Sequence, residues 1–207
     1  MRYEDVIEKL RSAYNEGAQQ RDQAPKIRWK LIERAAFLDR LRVEGKKRLL
    51  EVGAGTGHDS SFFQQSGLTV VATDLSPEMI ARCRAKGLEA HIMDFLHLDL
   101  PLASFDAAYA LNCLLHVPNA DFPDVLRAIQ DVLLPGGLFF MGVYGGDSLE
   151  GIARNDCHDP ARFFSFRSDD EIQAFAREWF EIIDFHVVDP EGVHFQSLTL
   201  RKPSNII

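Results

Sequence analysis

Five short apolar runs, Arg48–Val52, Thr69–Thr73, Ala90–Met93, Phe105–Leu111 and Leu138–Tyr144, constrain the fold of this chain more than anything else in it. Most lack the polar alternation of a strand with one wet face, so both faces are expected to be buried. Such strands belong in a parallel sheet with helices on both faces, and the stretches between the runs carry helix signals. Ser76-Pro77-Glu78 places an N-cap serine before a proline at the first helical position. Asp121 precedes a periodic set, Val125, Leu126, Ile129 and Val132, expected to stop at Pro135-Gly136-Gly137. Ser168-Asp169-Asp170-Glu171 fits a capping box opening a late helix. The chain closes with Phe180–Val188 and Val193–Arg201. Only Asp189–Gly192 separates them, too short for a helical crossover, so they should form an antiparallel hairpin. The expectation is an α/β chain with a doubly wound, mostly parallel sheet of seven strands, the last one antiparallel.

Before the first run the chain reads as helical. Val6, Ile7, Leu10, Ala13 and Tyr14 recur at helical spacing, as do Ile27, Leu31, Ala35 and Leu38, with Pro25 between the two sets. A length of 207 residues suits a single domain over 1–207. The charge, 23 Lys and Arg against 31 Asp and Glu for a net of −8, disfavours a broad footprint on nucleic acid or an anionic membrane. No apolar run approaches the roughly 20 residues that span a bilayer. The polar start Met1-Arg2-Tyr3-Glu4-Asp5 is not that of a signal peptide. Cys83, Cys113 and Cys157 show no metal-ligand spacing, so no metal is expected. An odd count of cysteines favours reduced thiols in the cytoplasm.

The turn Gly53-Ala54-Gly55-Thr56-Gly57 leaves the first run and opens the next helix. In such sheets the ligand lies beyond the carboxyl ends of the strands. Glycine allows a tight turn there and close approach of a ligand to backbone. Asp74 ends the second run, where an acid can take both hydroxyls of a ribose. A nucleoside is therefore implied. NAD is one candidate, but the spacing is Gly-x-Gly-x-Gly and Glu51 lies under the turn, where a pyrophosphate would be repelled. S-adenosylmethionine carries no phosphate, and its sulfonium and ammonium suit Glu51 and Asp59.

Leu49–Gly57, Val70–Met79, Asp94-Phe95, Phe105–Ala110, Leu114–Val117 and Leu134–Leu138 together resemble the successive motifs of class I (Rossmann-like) S-adenosylmethionine-dependent methyltransferases. The resemblance runs from about Arg48 to Tyr144 and is nearest to small bacterial enzymes of unassigned substrate. It implies that Gly53, Ala54, Gly55, Thr56 and Gly57 cradle the methionine portion, with Glu51 near its amino group. Asp74 would bind the ribose, Leu75 and Met79 would flank adenine, Asp94 would accept from the adenine amino group beside Phe95, and Ser76 would be among the cofactor contacts. Asn112 and Cys113 would line the methyl-donor face. The chain departs from the Asn/Asp-Pro-Pro-Tyr pattern of enzymes that methylate amino groups of bases or glutamine, having Asn112-Cys113-Leu114-Leu115 instead. A small-molecule acceptor is the expectation. Residues 1–46 would form a helical lid, 47–145 the cofactor half, and 146–207 an acceptor-side cover with the hairpin.

Methyl transfer is an in-line displacement at an activated carbon, so alignment supplies much of the rate. A base is needed only where the acceptor must lose a proton. His116, shortly after the fourth run, is the candidate base, against a structural histidine. Tyr14 from the lid, Tyr144 at the end of the fifth run and Phe164 in the cluster Arg162–Phe166 are candidates for acceptor contact, against plain core packing. Two rivals remain open at this level: a non-catalytic cofactor-binding module and an NAD(P)-dependent oxidoreductase.

Overall fold

The computed structural model describes residues 1–153, 156–189 and 192–204. Two helices, α1 (Tyr3–Gln23) and α2 (Arg28–Val43), precede an alternating series: β1 (Arg48–Val52), α3 (His58–Gln65), β2 (Thr69–Asp74), α4 (Pro77–Ala85), β3 (Glu89–Ile92) and β4 (Phe105–Leu111). A 3-10 turn at Leu114–His116 leads to α5 (Phe122–Val132), β5 (Leu133–Tyr144), β6 (Leu149–Ile152), β7 (Phe163–Phe166), α6 (Asp169–Arg177), β8 (Glu181–Val188) and β9 (Phe195–Arg201). Seven strands form one sheet in the order β3-β2-β1-β4-β5-β9-β8. Its β3-β2-β1-β4-β5 part is parallel, and β9 runs antiparallel to both β5 and β8. The expected sheet and hairpin are present, although positions 190 and 191 of the hairpin turn lie outside the described residues.

The missing polar alternation has a direct cause. In register, Leu49, Val70, Ala107 and Leu138 face a core that includes Phe37, Leu38 and Leu41 of α2 and Phe63 of α3. Their neighbours Leu50, Val71, Ala108 and Phe139 face the opposite core, built with α1, α5 and α6. Both faces exclude water, so both must be apolar.

Three local expectations are corrected, and one element is added. The helix α2 exists, but Ile27 and Leu31 are exposed; its buried face is Glu33, Phe37, Leu38 and Leu41. Glu33 belongs there because Ser197 Oγ donates to its carboxylate at 2.6 Å and His186 Nε2 lies at 3.1 Å. Asp121 places no side-chain cap on α5; it accepts from Tyr3 N at 2.7 Å and pairs with Arg2, tying down the start of α1 instead. α5 stops at Val132, three residues short of Pro135, which a continuing helix could not accommodate. The antiparallel pair β6–β7 forms a second small sheet that the apolar pattern did not announce. Ser76 and Ser168 do cap α4 and α6, accepting from Met79 N and Glu171 N. No described helix is long and apolar enough to cross a membrane.

Candidate functional site

The end of β1 runs into Gly53–Gly57, whose three glycines all have positive φ, +68°, +56° and +81°. They do different things. A Cβ on Gly53 would stand 2.5 Å from Cys113 Cβ, and one on Gly57 would stand 2.7 Å from Leu88 Cδ1 and 2.9 Å from Cys83 Sγ. Those two glycines let neighbouring elements close on the turn. At Gly55 a Cβ would meet nothing nearer than Arg21 Cδ at 3.9 Å, so only this glycine presents open backbone. Gly57 is thus a packing glycine, contrary to the expectation that it admits a ligand. Gly53→Ala combines left-handed strain with overpacking and should cost about 2–4 kcal/mol. Gly55→Ala carries the strain alone. Thermal unfolding of the two variants should show the larger loss at Gly53, and equal losses would contradict this division.

The open side of the turn faces a cavity of about 430 Å³ at the carboxyl ends of β1, β2, β4 and β5. Glu51, Gly53, Ala54, Gly55, Thr56, Asp59, Asp74, Leu75, Phe95, Asn112 and Cys113 all line it. Gly57, Ser76, Met79 and Asp94 do not. Ser76 is spent as the cap of α4, and its Oγ also donates to Asn15 Oδ1. Met79 is fully buried in α4. Asp94 accepts from the amides of Leu96 and His97, so its carboxylate closes a loop.

The acids at the turn differ in state. Asp74 accepts from Gly55 N at 2.8 Å and Ser76 N at 2.9 Å, while the surrounding walls desolvate its carboxyl and push its pKa up. Each carboxylate oxygen keeps a further lone pair for a ligand. Asp59 is already neutralised by Lys26 and by Arg34, the latter at 2.7 Å, so it anchors the start of α2. A role for Asp59 in attracting a cation is therefore corrected. Glu51 accepts from Ser60 Oγ and is buried; desolvation first, then the charge of Asp59, raise its pKa to about 8.

The far end of the cavity is built differently. His116 Nδ1 lies 2.7 Å from the carbonyl oxygen of Phe163, which only accepts, so Nδ1 carries the proton. Nε2 then accepts from the hydroxyl of Tyr14 at 2.5 Å. Arg162 donates to the same hydroxyl at 3.1 Å and is held from behind by Asp156, to which Nε and Nη2 donate at 2.8 Å. Burial, with Arg162 and Arg21 nearby, lowers the His116 pKa to about 3, so the ring is neutral. Burial raises that of Tyr14. Phe164 lies 4.8 Å from the His116 ring. Tyr14, His116, Tyr144 and Phe164 all line the cavity, and Trp29 stands behind Tyr144 against Phe195.

Residues that sequence patterns did not single out also line the wall: Tyr3, Arg21, Lys26 and Lys30. Most come from the polar connection around Pro25, which has no local signature of a site. The trio Asp156, Cys157 and His158 has atoms close enough for a metal ion, yet Arg162 already occupies the Asp156 carboxylate.

Tyr3 Oη, Thr56 Oγ1 and Asn112 Oδ1, on residues of the lining, are buried without a hydrogen-bond partner. The open backbone at Gly55 and the spare lone pairs of Asp74 fit a polar nucleoside with an amino-acid tail. Asn112 also has φ +57°, held by its amide donating to Gly142 O at 2.7 Å.

Residues 49–137 match the family described as a methyltransferase domain. The chain is 36% identical over 101 residues to the ubiquinone biosynthesis O-methyltransferase of Xanthomonas oryzae pv. oryzae, covering 45% of this chain and 41% of that protein. It is 32% identical over 108 residues to methyltransferase GfsG of Streptomyces halstedii, covering 48% and 38%. The matched stretch is less than half the length of either relative. A crystal structure of Burkholderia thailandensis 1,6-didemethyltoxoflavin-N1-methyltransferase with 1,6-didemethyltoxoflavin and S-adenosylhomocysteine aligns with a TM-score of 0.74 at 24% identity. That alignment covers 95% of this chain and 88% of the other, and the likeness is one of fold.

Proposed function

We propose that this chain, whose residues 49–137 match a methyltransferase domain, is a class I enzyme that transfers a methyl group from S-adenosylmethionine to a small-molecule acceptor by in-line displacement. One observation carries the proposal: Asp74, at the end of β2, lines the cavity beside the open backbone of Gly55 while Glu51 lies beneath the same turn. A carboxyl with a raised pKa at this place is charged most readily beside a cationic ligand, which favours an ammonium over a pyrophosphate. When bound, S-adenosylmethionine supplies a methyl carbon on a sulfonium, and the acceptor's lone pair forms the new bond as the C–S electrons stay on sulfur. The protein's part is to hold and align. Asp74 takes the ribose hydroxyls, the Gly53–Thr56 backbone and Glu51 take the methionine end, and Leu75 and Phe95 flank the base. At the far end the Tyr14 hydroxyl faces the acceptor, and His116 Nε2 receives a proton through it. Residues 1–46 serve as the lid, 47–145 as the donor half and 146–207 as the acceptor-side cover, within one domain. The free thiols of Cys83, Cys113 and Cys157 suit a reducing cytoplasm.

Calorimetry with S-adenosylhomocysteine against NADH tests the donor. Binding of the first alone is expected; preference for NADH would overturn the proposal. The pH dependence is a sharper check. Below pH 8 the Glu51 carboxyl holds a proton that an ammonium ligand must expel. Affinity for S-adenosylhomocysteine should therefore fall about tenfold for each pH unit below 8. The ligand's own α-amine, beside a free carboxylate, deprotonates only at higher pH, so affinity should level off above about 8 before it falls. Glu51→Gln should flatten the acid side. A flat profile in the unaltered protein between pH 6 and 8 would remove Glu51 from the ammonium.

A further inference from the structure

We propose that the acceptor is a planar anion whose negative group pairs with Lys30 while its ring lies among Tyr14, Phe164 and Tyr144. This rests on the methyl-transfer proposal, because it names the occupant of the half of the cavity left to the acceptor. The cavity is polarised. Its only carboxylates among the described residues, Glu51, Asp59 and Asp74, stand at the turn, where Lys26 and Arg21 lie beside them, whereas Lys30 and Arg162 line the other walls with no carboxylate of the lining opposite them. That concentration of cations stands out in a chain of net charge −8.

The cations are not equivalent. Lys26 is spent on Asp59 and Arg162 on Asp156. Arg21 is exposed, runs past Gly55 and places its guanidinium 5.4 Å from the Tyr14 ring, between the two ends of the cavity. Lys30 is half-buried, with Nζ 4.9 Å from the Tyr144 ring and 5.2 Å from the Trp29 ring, and it has no carboxylate partner among the described residues. An ammonium set against aromatic faces gains cation–π attraction but lacks the counter-ion that would offset its partial desolvation. An anionic ligand supplies one. The aromatic walls fix the rest of its shape, because stacked and edge contacts favour a flat body. Since Lys30 holds the anionic handle, a separate hydroxyl or amine of the same molecule is free to face Tyr14.

Salicylate and its neutral isostere salicylamide are suitable probes, titrated at pH 7 and low salt by ligand-observed NMR, with and without S-adenosylhomocysteine. Salicylate is expected to bind at least tenfold more tightly than salicylamide. Lys30→Met should abolish that preference while leaving S-adenosylhomocysteine affinity within twofold. Equal binding of the two probes, or a preference that survives in Lys30→Met, overturns the anion site. Failure of S-adenosylhomocysteine to bind, with the salicylate preference kept, overturns the donor assignment and leaves the anion site standing.

Discussion

Replacing Asp74 with alanine is expected to weaken S-adenosylhomocysteine binding roughly five- to 150-fold, about 1–3 kcal/mol for hydrogen bonds to a charged acceptor. Two losses contribute. The ribose hydroxyls lose their acceptor, and the amides of Gly55 and Ser76 lose theirs. The second loss loosens the backbone that receives the methionine end, so part of the effect reaches the ligand through the turn. Asp74→Asn separates the contributions, since its amide oxygen still accepts from one of these amides while the charge is gone. An affinity between those of the parent and the alanine variant is expected, with the fold intact by thermal unfolding. Asp94→Ala is the contrast. Its carboxylate serves the Leu96 and His97 amides and does not line the cavity, so affinity should change less than threefold. Unchanged affinity in Asp74→Ala would sink the ribose assignment, and equal losses at Asp74 and Asp94 would contradict their separation by the structure.

The contrast between Asp74 and Asp94 marks how far the sequence could be read. What depends on neighbours along the chain was legible. Leu49 and Leu50 point into different cores, so a run without alternation had to be a doubly buried strand. Ser76 and Ser168 signal their helices because a cap is made within a few residues. Legibility fails where a partner is remote. Glu33 looks like a solvent residue until β9 brings Ser197 to it, and the apolar face of α2 is mis-phased for that reason. Three similar glycines at the turn take different roles because Cys113, Leu88 and Cys83 close on two of them and not on the third. Asp59 looked like a cation site, and it is one, but the cations are Lys26 and Arg34 from this same chain. The lining from Arg21 to Lys30 carries no motif at all; its position follows from how the first two helices sit over the sheet.

The partner of His116 was beyond sequence reach for the same reason, since Tyr14 lies 102 residues away. Removal of His116 is expected to lower methyl transfer about a hundredfold, within the range for a positioned proton acceptor, and to leave S-adenosylhomocysteine affinity within twofold. The ring is neutral and its Nε2 lone pair points at the Tyr14 hydroxyl, so a proton leaving the acceptor passes to Tyr14 as the tyrosine proton passes to His116. With its pKa near 3 His116 is a poor base on its own, because burial and the cations Arg162 and Arg21 disfavour its charged form. The ring therefore acts only together with Tyr14, as the receiving end of one relay. Two consequences distinguish this from simple packing. Tyr14→Phe should cost as much as His116→Ala, and the double variant no more than either, as expected for groups that act as a unit. Tritiated-methyl incorporation into a pool of small metabolites reads both. Additive losses would separate the two side chains, and unchanged incorporation in His116→Ala would leave the ring as a structural partner of the Phe163 carbonyl alone.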